Sequence, residues 1–568
     1  MTDISEKTVS ENTVTHPAPH RTHAVLNQSV PRTDVNEFLL DTVLVEGVAR
    51  HDADWATSEL ADIGELVGSA GFQHDAELAN TVIPELKTFD RWGNRIDEVE
   101  YHPSYHRIIS AAVAHGAHTS AWADPKPGAN VARAAAFMLF SQVEPGHACP
   151  ISMTHAVIPS LELQPDVAAL WNPRALSRSY TPELDAPGKA SAIFGMSMTE
   201  KQGGSDVRAN TTIAKPAGRG GPGADYLLTG HKWFCSAPMS DAFLVLAQAE
   251  GTAGEGLSCF LLPRILPDGT RNVFRIQRLK NKLGNKSNAS SEIELDGTVG
   301  TMIGEPGRGV RTIIEMVSQT RLDCILGSTA GMRQSVAEAV WHARHRSAFG
   351  AVLADQPAMT SVLADLALES EAATITALRL ARAQDEDADE QEKAFRRLAT
   401  AVAKYWICKR GPHHSYEALE CLGGNGYTED FPLARRYREQ PVMAVWEGSG
   451  NVIALDVLRA MTREPDSVAA FDHEINLARG NNPDLDQHLD RVRRQLGELA
   501  TMAPADAQLR ARTVVEAMAL ALQASLMVRQ SPAASSDAFI AARLGADRGH
   551  EYGTLPVGTD FAGILARA

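Results

Sequence analysis

The chain has 568 residues, 44% apolar and 22% charged, more than one hydrophobic core organises, which predicts several packed units of a folded protein. Its 54 basic and 70 acidic side chains give a net charge of −16, which works against broad attraction to nucleic acid or an anionic membrane. Six cysteines (Cys149, Cys235, Cys259, Cys324, Cys408, Cys421) lie without Cys-x-x-Cys spacing, so no metal site or disulfide framework is indicated and a reducing, cytoplasmic setting is expected.

Residues 1–23 are rich in Thr, Ser, His and Pro, lack the apolar core of a signal peptide and are expected to form a mobile tail. No uninterrupted apolar run reaches roughly 18 residues, and the Ala-rich stretches are broken by Arg, Glu or His, so no membrane span is expected. Over 24–190 apolar residues recur at helical spacing, as in Leu40, Leu44 and Val48, which predicts a helical N-terminal domain.

Near residue 191 the period switches from about 3.6 to 2, and short apolar runs bounded by Gly, Pro, Asp or Ser predict a β domain over 191–305. The helical period then returns through Val310, Ile313, Ile314 and Val317, toward a helix end near Arg346. Pro357 opens a second helix, and a third runs from about 390 to 422, stopped by Gly423-Gly424-Asn425-Gly426. These make a helical bundle over 306–464. Residues 465–568, with a stripe through Val514, Val515, Met518, Leu522 and Leu526, read as a separate helical extension, and no internal repeat is visible.

Five segments carry chemistry. Met198-Thr199-Glu200-Lys201-Gln202-Gly203-Gly204-Ser205-Asp206 follows a strand; alone, such a turn is more often only a turn. Gly230-His231-Lys232-Trp233-Phe234-Cys235-Ser236 is, read blandly, a strand with aromatics toward the core. His345-Arg346-Ser347-Ala348-Phe349-Gly350, with Gln356 after it, offers a guanidinium that suits phosphate. Gly423-Gly424-Asn425-Gly426-Tyr427 is a turn, and Trp446-Glu447-Gly448-Ser449-Gly450-Asn451 places one carboxylate in a glycine-rich loop, where Glu is normally a surface residue.

Taken in this order, from about residue 22 to 460, the five segments resemble the acyl-CoA dehydrogenase flavoproteins. The resemblance implies a mainly α fold with a central β domain: an N-terminal helical domain, a β-barrel-like middle domain and a C-terminal four-helix bundle, here with a helical extension. It implies FAD as cofactor, contacted by Met196, Met198, Thr199, Gly204, Ser205, Phe234, Cys235, Ser236, Gly424, Trp446, Gly448, Ser449 and Asn451, with Arg346, Phe349 and Gln356 reaching the flavin of a neighbouring subunit. It implies acyl-CoA as substrate, met by Ser205 and Arg321, and Glu447 as the base that takes the α-proton while the β-hydrogen leaves to the flavin. Covered by substrate and flavin, that carboxylate is expected to have a raised pKa. Some relatives place the base on the long helix after the β domain; here that place is near Thr320, which cannot serve.

Within the family the resemblance is closest to the AidB-like, DNA-alkylation-response branch, carried by Thr199-Glu200-Lys201-Gln202-Gly203-Gly204, Leu283-Gly284-Asn285-Lys286-Ser287-Asn288, Phe137-Met138-Leu139-Phe140 and Cys149-Pro150-Ile151. It implies a homotetramer, weak dehydrogenase activity on short or branched acyl-CoA, and DNA binding through the extension, and it leaves the electron acceptor open. Against DNA binding, residues 461–568 hold 11 Arg, no Lys and 14 acids, a net −3, whereas duplex binding is driven by basic contacts to phosphate. Arg491, Arg493 and Arg494 are the candidate DNA-binding face, though pairing with Asp486, Asp490 or Glu498 is the commoner fate of such charges. Three readings follow: an FAD-dependent dehydrogenase, a DNA-binding protective flavoprotein, and a scaffold that has lost its flavin.

Overall fold

In the computed structural model residues 22–250 and 256–568 are described; the tail expected at 1–23 lies, up to residue 21, outside the described residues. The N-terminal region holds α1 (Thr42–Arg50), α2 (Thr57–Gly68), α3 (Ala70–Thr81), α4 (Pro103–Ala114), α5 (Ser120–Ala123), α6 (Ala129–Ser141), α7 (Ala148–Leu161) and α8 (Pro165–Ala175). It is not purely helical, as the periodicity suggests: between α3 and α4 an antiparallel hairpin pairs β1 (Glu85–Phe89) with β2 (Arg95–Glu100). The Asp90 carboxylate caps its turn by accepting from the amides of Trp92 and Asn94. Asp97 then accepts from the amide of Ile276 at 2.9 Å, which seats the hairpin on the β domain.

That domain comprises β3 (Phe194–Ser197), β4 (Ile213–Pro216), β5 (Asp225–Ser236), β6 (Ala242–Ala249), β7 (Leu257–Pro263), β8 (Arg275–Leu279) and β9 (Ser290–Ile303). Pairing runs β6–β4–β5–β9–β7 and back to β6, so five strands close a barrel; β3 joins β6 and β8 joins β9. Closure leaves those five without a free edge. Alternation along β6 splits its side chains between two cores: Phe243, Val245 and Ala247 fill the barrel with Tyr226 and Phe260, while Ala242, Leu244 and Leu246 face Met153 and Val157 of α7.

The bundle follows: α9 (Gly309–His345), α10 (Pro357–Arg382), α11 (Glu390–Glu420), α12 (Pro432–Met443) and α13 (Gly450–Arg463). The Asp389 carboxylate caps α11 by accepting from the Glu392 amide, and proline occupies the first turn of α10 and α12, where no hydrogen bond is lost.

Residues 465–568 form α14 (Pro465–Asn476), α15 (Pro483–Thr501), α16 (Pro504–Gln530), α17 (Ala533–Arg543) and α18 (Phe561–Leu565). They do not stand apart as a separate extension. Phe471, Leu485, Val514, Met518 and Leu522 belong to the same continuous core as Leu398 and Val402 of α11 and Leu44 of α1. Arg543 is ion-paired with Asp365 and Glu369 of α10, and Arg567 with Glu371 of α10 and Glu46 of α1. By length and composition α16 is apolar enough to cross a bilayer, although Glu516 interrupts its apolar run, and most of that stretch is buried inside the protein.

Candidate active site

The loop after α12 begins where the Trp446 amide closes on the Val442 carbonyl, and it ends where Ser449 precedes α13. Between them the backbone turns left-handed twice, at Glu447 (φ 55°) and Gly448 (φ 111°). Gly448 has no substitute, since a Cβ there would sit 2.9 Å from the Ile453 side chain in a conformation that L-residues rarely adopt. Glu447 adopts its own positive φ at a cost of order 1–3 kcal/mol, and something must hold it there.

Two cations do so. The Lys404 Nζ, on α11, donates to the carbonyl oxygens of Trp446 (2.6 Å) and Gly448 (2.5 Å). Arg321, on α9, donates from Nε to the carbonyl of Glu447 (3.1 Å) and from Nη1 to Asp456 (2.7 Å). Arg321, expected at the substrate, thus also anchors this loop through two of its donors.

The Glu447 carboxyl is left over. Its Oε2 is fully buried and makes no hydrogen bond of ordinary geometry. Burial raises its pKa above the ordinary carboxylate range, against the Thr320 hydroxyl beside it and the charges of Arg321 and Lys404.

Across the site, Thr199 lies beside β5 because its carbonyl accepts the Trp233 amide at 2.8 Å. The following turn is built on a buried ion pair: Lys232 Nζ donates to Glu200 at 2.8 Å and to the Leu246 carbonyl, and Glu200 also accepts from Thr211 and Thr212. Burial pushes the Glu200 carboxyl up, but the Lys232 ammonium and these hydrogen bonds outweigh it and hold the group at about 2. Gly204 and Ser205 are exposed on that turn, and a Cβ at Gly204 would meet only the Thr199 methyl, at 3.7 Å.

Phe234 is about half exposed, and Ser236 is half-buried with its hydroxyl 3.1 Å from that of Ser290. Between them strand alternation turns Cys235 inward. Its thiol is buried in the barrel core, so its side chain is not a cofactor contact. Met196 and Met198 are partly buried and pack against the apolar layer beneath this face.

Cys149 of α7, which motif spacing does not single out as a site residue, links the two halves. Burial pushes its thiol up to about 11, with Ser236 within hydrogen-bond reach and the Glu447 carboxylate adding to the shift. Lys404 also escapes motif reading; its signal is a lysine inside the apolar run Ala401-Val402-Ala403-Lys404-Tyr405-Trp406, since lysine is almost never fully buried without a role.

Asn451, in the first turn of α13, accepts from Arg512 at 2.8 Å, and the remaining cofactor candidates form a second cluster. Arg346 Nη1 donates to the Asn27 carbonyl, Gln356 braces the turn by donating to the Ala348 carbonyl at 2.7 Å, and Asn425 beside Gly424 donates to Gln28. Phe349, at φ 53°, is wholly exposed, and nothing lies within 4 Å of where a Cβ on Gly424 would be. This cluster is remote from Glu447. Arg321 and Arg346 are 25 residues apart on α9 and its C-cap, about 37 Å at 1.5 Å per residue.

The chain matches three family models in succession: the adaptive response protein AidB N-terminal domain over residues 27–182, the acyl-CoA dehydrogenase middle domain over 195–298, and the acyl-CoA dehydrogenase C-terminal domain over 307–462. It is 45% identical to AidB of Escherichia coli K12 over 479 residues, 84% of this chain and 87% of that protein. Among solved structures, the apo form of Bd2924 aligns at 30% identity with a TM-score of 0.79, over 88% of this chain and 98% of that one. Caenorhabditis elegans ACDH-11, solved in complex with C11-CoA, aligns at 26% identity with a TM-score of 0.81, over 93% and 94%.

Proposed function

Because the chain belongs to the acyl-CoA dehydrogenase family, in its AidB-like branch, we propose that it oxidises an acyl-CoA thioester, with Glu447 taking the α-proton. It is an FAD-dependent oxidoreductase by family. The residues fit that cofactor: Gly204 and Ser205 leave an open shelf, Phe234 offers an exposed ring, and the buried Oε2 of Glu447 lacks a partner. When bound, the flavin supplies the two-electron acceptor for the hydrogen that leaves the β-carbon.

The observation that carries the reading is that unpartnered oxygen. A carboxylate buried with one atom unbonded and its pKa raised is poised to accept a proton of weak acidity, as α to a thioester carbonyl. Its backbone is pinned on both sides, so the base is held rather than swung into place. The second cluster, about 37 Å along α9, lies beyond what one cofactor spans together with Glu447. This supports an assembly in which Arg346, Phe349, Gln356 and Gly424 hold the dinucleotide part of a neighbouring subunit's cofactor, as in a homotetramer.

Membership of the AidB-like branch favours short or branched acyl groups, while the C11-CoA held by the worm relative brings medium chains onto the same test. The experiment is anaerobic mixing of the purified protein with short, branched, medium and long acyl-CoAs while flavin absorbance is followed. Bleaching with at least one of them is expected; a yellow protein whose flavin stays oxidised with all of them removes the reading.

A further inference from the structure

We propose that Lys404 is a positioning residue for the base. Together with Arg321 it gathers three successive carbonyls, those of Trp446, Glu447 and Gly448, and so keeps Glu447 left-handed with its carboxylate on the side of Cys149 and Ser236. The inference rests on the reading of Glu447 as the base.

The bonding is one-sided. Lys404 Nζ reaches the carbonyls before and after Glu447 at 2.6 and 2.5 Å, and Arg321 takes the one between at 3.1 Å. The carbonyls of Trp446, Glu447 and Gly448 converge on these two cations across a turn in which Glu447 and Gly448 both have positive φ. The cations and the strained turn are thus one arrangement: withdrawing the ammonium leaves two carbonyls without a donor and only the Arg321 hydrogen bond to offset the cost at Glu447.

Lys404 itself is costly to keep. It is 1% exposed, and among the described residues no carboxylate lies within salt-bridge distance of it. An ammonium buried on carbonyl dipoles alone stabilises a fold poorly compared with an apolar side chain of the same length. Its neighbours Cys324 and Cys408 would accept such a replacement, since both thiols are buried in the apolar cluster with Met443. The arrangement makes sense as a device for the loop.

The same charge acts on the carboxylate. The groups that face Glu447 are the Thr320 hydroxyl, Arg321 and Cys324 from α9, Lys404 from α11, and Cys149 from α7, with Asp456 of α13 bound to Arg321. Of these only Lys404 and Arg321 favour the ionised carboxylate by charge.

The test uses the full-length flavoprotein with Lys404→Met, which keeps length and loses the donors, and Lys404→Gln, which keeps two N–H donors and loses the charge. Hydrogen exchange of the peptide covering 445–452, without substrate, is expected to quicken at least tenfold in the Met variant and less in the Gln variant. With an acyl-CoA that bleaches the wild type, flavin reduction in Lys404→Met is expected to slow at least 100-fold. Affinity for that acyl-CoA should stay within threefold, and the midpoint of the rate-against-pH curve should move up.

Unchanged exchange in both variants overturns the proposal, as does slowed reduction with an unloosened loop. Should the Met variant fail to fold, the Gln variant carries the same comparison. A wild type that bleaches with no acyl-CoA while Lys404→Met loosens the loop removes the dehydrogenase reading and leaves the clamp standing.

Discussion

Arg321 donates to the backbone carbonyl of Glu447 at 3.1 Å, so the residue is anchored by its main chain while its carboxyl keeps an oxygen free. Anchoring and reactivity are carried by different atoms of one residue. Changing the carboxyl alone therefore leaves the anchor in place. Glu447→Gln is expected to retain bound flavin and acyl-CoA affinity while flavin reduction slows by about 10² to 10⁴, the usual contribution of a general base. Stopped-flow absorbance checks it, and a variant that reduces at the wild-type rate excludes Glu447.

The pH dependence has a definite sign. A base acts deprotonated, and burial at Glu447 favours the neutral acid more than Thr320, Arg321 and Lys404 oppose it. The reduction rate should therefore rise with pH through a midpoint above 4.5, and a midpoint at or below that value contradicts the burial argument.

Arg346 tests the shared cofactor site. Arg346→Ala removes a guanidinium remote from Glu447, and flavin affinity is expected to fall about tenfold to a hundredfold, the value of a charge-assisted contact to phosphate. Equilibrium dialysis of flavin measures it. Full affinity in this variant means the second cluster does not hold cofactor.

Glu200 sets a stability limit in acid. Its folded-state pKa, about 2, lies below its unfolded value of 4.5, so its contribution is complete above pH 4.5 and is lost as pH falls toward 2. Tm should drop over that window, and Glu200→Gln should start lower at neutral pH and lose less on acidification. Parallel Tm curves for variant and wild type would exclude the ion pair as the cause.

The extension offers a charge test. Arg493 is committed to Asp472 at 3.0 Å, whereas Arg491 and Arg494 have no ion pair among the described residues. If the extension binds duplex DNA, the double variant Arg491→Ala, Arg494→Ala should weaken binding and flatten its salt dependence by about two contacts, and Arg493→Ala should change it little. Filter binding across salt concentrations measures both, and equal effects from all three positions would contradict this division.

The order of elements and the loop that buries the Glu447 carboxyl oxygen were legible because their signals are local. Glu447 is named by its immediate neighbours, and the barrel strands by alternation within a few residues. Lys404 was not, because the carbonyls it serves lie 42 and 44 residues further on and no local pattern joins them. The β1–β2 hairpin escaped because Lys87, Arg95, Asp97, Glu98 and Glu100 mask its alternation, and its apolar support comes from the barrel instead. The inward side chain of Cys235 was not legible, because a bulge between Lys232 and Cys235 reverses the alternation that Tyr226, Leu228 and Lys232 set along β5. The extension looked separate because composition changes at 464, yet the apolar stripe that marks α16 is what fastens it to α11 and α13.

Arg567 meets Glu46 across 521 residues of chain. A contact of that span is out of reach of local assembly, and during synthesis α1 emerges long before its partner exists. The N-terminal helices must therefore wait on the ribosome with part of their packing surface uncovered. Agents that shield apolar surface during translation should raise the yield of this protein more than agents that act on the released chain.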